Sequence, residues 1–134
     1  MPTVADNFFK LAVVFLIVGI AMGLQMSISG LHDVTGAHAH ANLLGWASSA
    51  IFGVYYALNP AKARARLAQV HFWVYAAAVV VMIPALYLML QGYAAMEMLV
   101  AVSSLLAFAA VLVFAVVVFG KTPEAATEPS ALAG

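Results

Sequence analysis

The stretch Ala37-His38-Ala39-His40-Ala41-Asn42-Leu43-Leu44-Gly45-Trp46, continuing as ASSAIFGVYYAL to Leu58, decides the fold and holds the first clue to chemistry. It is apolar over a length that spans about 30 Å of hydrocarbon. It therefore predicts a membrane-crossing helix with two histidines at its mouth. Imidazole is the commonest metal ligand among side chains. On a helix, residues i and i+2 lie about 200° apart, at about 100° per residue. His38 and His40 thus cannot clamp one metal side by side, as an i, i+4 pair does. They point at two different sites or two different neighbours.

The rest of the chain agrees with a membrane setting. Of its 134 residues 66% are hydrophobic and only 7% charged, and mean hydropathy is +1.08. A soluble domain carries about 25% charge. Three further segments are long and apolar enough to cross: about 8–26, 70–90 and 96–119, beside 37–58. Short connections predict an all-α, antiparallel up-and-down bundle of four transmembrane helices within residues 1–121. The first segment is too long for the apolar core of a signal peptide and its basic start is weak, so it reads as a retained span. The tail 122–134, rich in Ala, Pro, Glu, Thr and Ser, lacks the apolar bulk to pack and is expected to be disordered.

Orientation follows from charge. Lys10, Lys62, Arg64, Arg66 and Lys121 all fall on one side of a four-helix topology, which the positive-inside rule makes cytoplasmic. Both termini are then cytoplasmic, in a bacterial-type inner membrane. The loop with His32 and Asp33 faces the opposite side, as does the loop from Gln91 to Glu97. Formal net charge is zero, which argues against a nucleic-acid partner; absence of cysteine excludes disulfides, iron–sulfur clusters and thiolate ligands.

Several residues are candidates for chemistry. His38 and His40 come first, in the opening turns of a helix capped by Thr35. Gly45 and Gly53 leave gaps where a helix or a flat macrocycle approaches, and Gly19 and Gly23 form a Gly-x-x-x-Gly that permits close helix contact. Pro84 removes an internal hydrogen bond from the third segment and predicts a kink there. His71, in Gln69-Val70-His71-Phe72-Trp73, is expected at the cytoplasmic interface in a structural role, with a quinone contact as the sharper alternative. His32, Asp33 and Glu97 are secondary candidates on the outer side. Met22, Met26, Met96 and Met98 are soft thioethers that suit copper(I) together with imidazole, although methionine more often fills apolar gaps.

The block AHAHANLLGWASSAIFGVYY at 37–56, followed by QVHFW at 69–73, resembles subunit I of the haem-copper oxidase and nitric oxide reductase superfamily. The likeness covers the middle third of the chain, and H-x-H on an apolar helix is its most specific element. It implies one four-helix arc of the twelve-helix, pseudo-threefold subunit I plan, and hence a homotrimer. In that plan the position matched by His38 binds the high-spin haem and the one matched by His40 the low-spin haem. No adjacent His-His pair for copper and no arginine on the outer side are present. The resemblance therefore implies a haem b protein of electron transfer, with a further redox partner, rather than an oxidase. The residues alone leave two other classes open. One is a copper or other transition-metal binding or transport protein using His32, His38, His40 and the outer methionines. The other is a structural or assembly subunit of a respiratory complex.

Overall fold

The computed structural model describes residues 1–122, so nearly all of the expected disordered tail lies outside the described residues. The described chain is helical with no strand. Helix α1 spans Thr3–Ser29, longer at both ends than its apolar core. At its start Asp6 and Lys10, one turn apart, form an ion pair at 2.6 Å, so polar residues continue the helix that hydropathy alone would end. It stops at Gly30, whose left-handed φ of 70° places its N–H on the Met26 carbonyl.

The expected second span is a continuous helical run in three pieces. Helix α2 covers Thr35–His40, a π-wound segment covers Ala41–Ser48, and α3 covers Ser49–Leu58. Thr35 is not the cap that the sequence predicts. Val34 holds that position, and the Thr35 hydroxyl instead donates to the His32 carbonyl at 2.8 Å. A short α4, Pro60–Ala63, opens with proline where no intrahelical N–H is needed. Helix α5 (Arg66–Leu90) runs through Pro84, and a single 3₁₀ turn (Ala94–Met96) leads into α6 (Glu97–Phe119).

Three of these helices, Thr3–Ser29, Arg66–Leu90 and Ala94–Phe119, are long and apolar enough to cross a membrane. Their outward faces agree with contact to lipid: Ile17, Trp73, Leu105, Phe108 and Phe119 are all exposed. Helix α5 is the central helix, burying a broad face from Ala68 to Leu86. Helix α6 lies on it through a narrow stripe, Ser103, Ala107, Ala110 and Val117, spaced four, three and seven residues apart. Small residues there let the two helices approach closely.

Lys62 ties the far end of α6 to the rest. Its Nζ is buried and donates to the carbonyls of Val117 and Val118, each at 2.9 Å, and to the Tyr55 hydroxyl at 3.2 Å. Those carbonyls belong to the last turn of α6, where no intrahelical donor follows and the helix dipole favours a cation. A basic residue read only for orientation is thus also a helix cap.

Candidate functional site

His38 stands against α1. Its Nδ1 lies 2.8 Å from the Gly19 carbonyl, which can only accept, so this nitrogen carries the proton. Asn42, one turn on, donates to the His38 carbonyl at 2.8 Å and approaches the same ring at 3.4 Å. The glycine spacing explains how both side chains fit. A methyl group at Gly19 would stand 2.6 Å from the Asn42 side chain, and one at Gly23 would stand 3.1 Å from the His38 ring. The Gly-x-x-x-Gly therefore serves a contact inside the chain, made to the two polar residues that open the helical run from Thr35 to Leu58.

His40 turns the other way. It lines a cleft of about 290 Å³ with Leu44, Tyr75 and Met82 on one side and Ser104, Ala107 and Phe108 of α6 on the other. Its Nδ1 is 2.8 Å from the carbonyl of Gly36, four residues back in its own helix, so this ring too is protonated at Nδ1. Neither ring's Nε2 has a hydrogen-bond partner among the described residues. In a neutral imidazole held this way Nε2 keeps its lone pair, the arrangement found when a histidine binds a metal and its other nitrogen is fixed by a carbonyl.

The π-wound segment begins at the residue after His40. Such turns widen the helix, release carbonyls from the i→i+4 ladder, and recur at functional sites. Here two carbonyls of the segment also accept from side-chain hydroxyls. Ser48 donates to Leu43 at 2.8 Å, and Tyr75 of α5 donates to Leu44 at 2.9 Å. Close packing fixes the segment on α1, since a methyl group at Gly45 would lie 2.5 Å from the Phe15 ring.

His71, expected in a structural role at the cytoplasmic end of its helix, is completely buried against neighbouring helices, more than one turn inside α5, which starts four residues before the apolar window does. Its Nδ1 lies 2.9 Å from the Tyr56 hydroxyl, and its Nε2 has no partner. Aromatic rings surround it: Phe52 at 4.7 Å, Phe8 at 5.0 Å and Phe114 at 5.1 Å between centroids. Tyr75 joins this box to the His40 cleft, 5.0 Å from Phe52 on one side and lining the cleft on the other.

The remaining candidates stay apart. His32, Asp33 and Glu97 are exposed. No group of three or more His, Asp or Glu side chains able to hold a metal ion occurs among the described residues. Of the four candidate methionines, Met22 and Met26 are buried on α1, where the Met26 sulfur lies 3.6 Å from the Thr35 hydroxyl, and Met98 is exposed. A groove of about 730 Å³ between α1 and α5 is almost wholly apolar and contains no histidine.

Sequence reading missed Asn42, Tyr75 and the box around His71. Asn42 had a visible signal, being one turn from His38 on the same face. Tyr75 and Phe114 had none, since their roles depend on which helices become neighbours. Comparison with protein-family models, curated proteins and solved structures finds no match.

Proposed function

We propose that this chain is a four-span protein of a bacterial-type inner membrane, with both termini cytoplasmic, that binds haem b through His38 and His40 and transfers electrons. The second pass, helical without interruption from Thr35 to Leu58, is the fourth crossing in this reading. One observation carries the ligand assignment: both rings give their Nδ1–H to a backbone carbonyl and keep Nε2 unpartnered. That fixes the tautomer and aims the basic nitrogen, as a haem or metal ligand requires. Bound haem would supply one-electron iron chemistry.

The geometry also bears on stoichiometry. One ring lies on α1 and the other on the α5–α6 cleft, so the two cannot ligate one iron within a single chain. A cleft of about 290 Å³ is at the small end for ligand pockets, about 300–1,000 Å³, and does not enclose a porphyrin alone. Each haem in this proposal therefore takes one histidine from each of two copies, in a ring of three.

Purified protein is expected to show a Soret band that is lost when His38 and His40 are both replaced by Ala. Carbon monoxide is expected to leave the spectrum unchanged, because an iron held by both His38 and His40 imidazoles would offer it no free site. Absence of a Soret band from protein expressed with sufficient haem overturns the reading.

A second reading has one observation in its favour. Met82 shares the cleft with His40, and a thioether beside an imidazole suits copper(I). Elemental analysis of the detergent-purified protein separates the two, since this reading requires copper without porphyrin. Protein with neither haem nor metal would support the structural or assembly role.

A further inference from the structure

We propose that the cleft between the α4–α5 junction and the end of α6 binds the phosphate headgroup of an anionic phospholipid, which supplies the counter-charge that Lys62 and Lys121 lack. The cleft measures about 180 Å³. Lys62 and Lys121 line it together with Ala65 and Leu67 at the start of α5 and Val116 and Val117 near the end of α6. Three observations carry the inference.

The first is unbalanced charge. Lys62 is only 9% exposed, and its hydrogen-bond partners, two carbonyls and the Tyr55 hydroxyl, are all neutral. The end of a helix offers about half a negative charge, so the ammonium is hydrogen-bonded but not neutralised. Lys121 borders the same space and adds a second cation. Among the described residues no carboxylate pairs with either. Asp6 is taken by Lys10 on α1. Glu97 opens α6, about 35 Å along the helix from Lys121. Gly36 packs on Leu90, which puts neighbouring Asp33 at the far end of α5 as well. Confined charges in folded chains are paired, and here the partner has to come from outside.

The second is the start of α5. Ala65 precedes it in an extended conformation, no side chain caps it, and no acidic residue stands in its first turn. Its unclaimed N–H groups and the positive end of its dipole thus face the same small space as the two lysines. Lys62 already uses its three N–H groups and acts by charge alone. Lys121 has no hydrogen bond among the described residues and is the direct donor to a phosphate oxygen.

The third selects a lipid over a free anion. Val116 and Leu67, in the walls of the cleft, are 61% and 38% exposed and belong to helices long and apolar enough to cross a membrane. A phosphate held here can lay an attached acyl chain along them, a contact that inorganic phosphate lacks. The space equals that of about six waters, which suits a headgroup phosphate whose chains stay in the bilayer. The site is at the opposite end of the chain's helices from His38 and His40, so it stands apart from the function proposed above.

The test titrates full-length protein in detergent with phosphatidylglycerol, phosphatidylcholine and inorganic phosphate, and counts bound species by native mass spectrometry. Phosphatidylglycerol should bind once per chain, at concentrations where the other two leave the chain bare. Lys121→Gln should weaken binding about tenfold or more, the loss of a hydrogen bond to a charged group. Arg64→Gln removes the same charge from the basic end but outside the cleft. It should weaken binding by no more than about fivefold, the effect of one basic residue at an anionic membrane surface. Lys62→Met should weaken binding at least as much as Lys121→Gln; because Lys121 is exposed, its variant reads the site even where Lys62→Met does not fold. Equal losses from Lys121→Gln and Arg64→Gln would mean diffuse attraction and would overturn the proposal. So would phosphatidylcholine binding as tightly as phosphatidylglycerol, or inorganic phosphate doing so, which would make this a site for soluble anions.

Discussion

The chain places three of its four histidines in two contrasting settings. At the end where the helical run from Thr35 to Leu58 begins, His38 and His40 sit on glycine-lined or open surfaces, each held by one hydrogen bond to a backbone carbonyl. At the basic end, His71 is sealed in an aromatic box and held by a side chain. The first setting fixes a ring while leaving one nitrogen accessible. The second removes the ring from every outside ligand and couples it to a single phenol. The same side chain is thereby suited to ligation at one end and to a sealed internal contact at the other.

The largest test of this contrast is energetic. Phe8 is fully buried and touches Phe52, Tyr56, His71, Phe72 and Tyr75. Phe8→Ala should open a cavity and cost about 3–5 kcal/mol, read as a lower unfolding midpoint in detergent. His40 is exposed and its bond is local to its own helix. His40→Ala should change stability by no more than about 0.5 kcal/mol. A comparable loss from both would mean that the outer histidine is as structural as the box, and the contrast would fail.

A smaller effect is expected where the helical run from Thr35 to Leu58 meets α1. Gly45→Ala gains helix propensity of about 1 kcal/mol but drives a methyl group into Phe15 at 2.5 Å. Overpacking costs about 1–3 kcal/mol, so a modest net destabilisation is expected. Gly23→Ala meets the edge of the His38 ring at 3.1 Å and should disturb the ring more than the fold. The comparison is sharpened if Gly23→Ala alters ligand binding with little change in the unfolding midpoint. It is weakened if the two variants behave alike.

How far the sequence reached differs between these settings for a physical reason. Hydropathy located every long helix, because lipid demands apolar residues over a fixed length regardless of packing. The separation of His38 and His40 onto two neighbours was also legible, since both precede the π-wound segment and follow the regular helical period. The π winding itself was not. It goes with hydrogen bonds from the Ser48 and Tyr75 hydroxyls to its carbonyls and with the close packing of Gly45 on Phe15. Nor was the burial of His71, which depends on which helices pack around it. Local period is written in the chain, whereas burial is decided by Phe8, Phe52 and Phe114 arriving from three other helices.

The finest prediction concerns protons alone. The Gly19 and Gly36 carbonyls accept only, so His38 and His40 should be protonated at Nδ1. His71 should accept from Tyr56 at Nδ1 and be protonated at Nε2, which leaves one buried group without a partner rather than two. Nitrogen-15 shifts of the ring nitrogens distinguish the two tautomers in neutral imidazoles, with His32 as the fourth, solvent-exposed ring for reference. Assignment follows from single His→Gln variants. Nδ1–H at 38 and 40 with Nε2–H at 71 is the expected pattern. Should His71 instead carry its proton at Nδ1, it would share the tautomer of the other two rings, and the division between a ligating end and a sealed end would fall with it. Should His38 or His40 carry its proton at Nε2, that ring would present a donor rather than a lone pair, and it would cease to be a ready ligand.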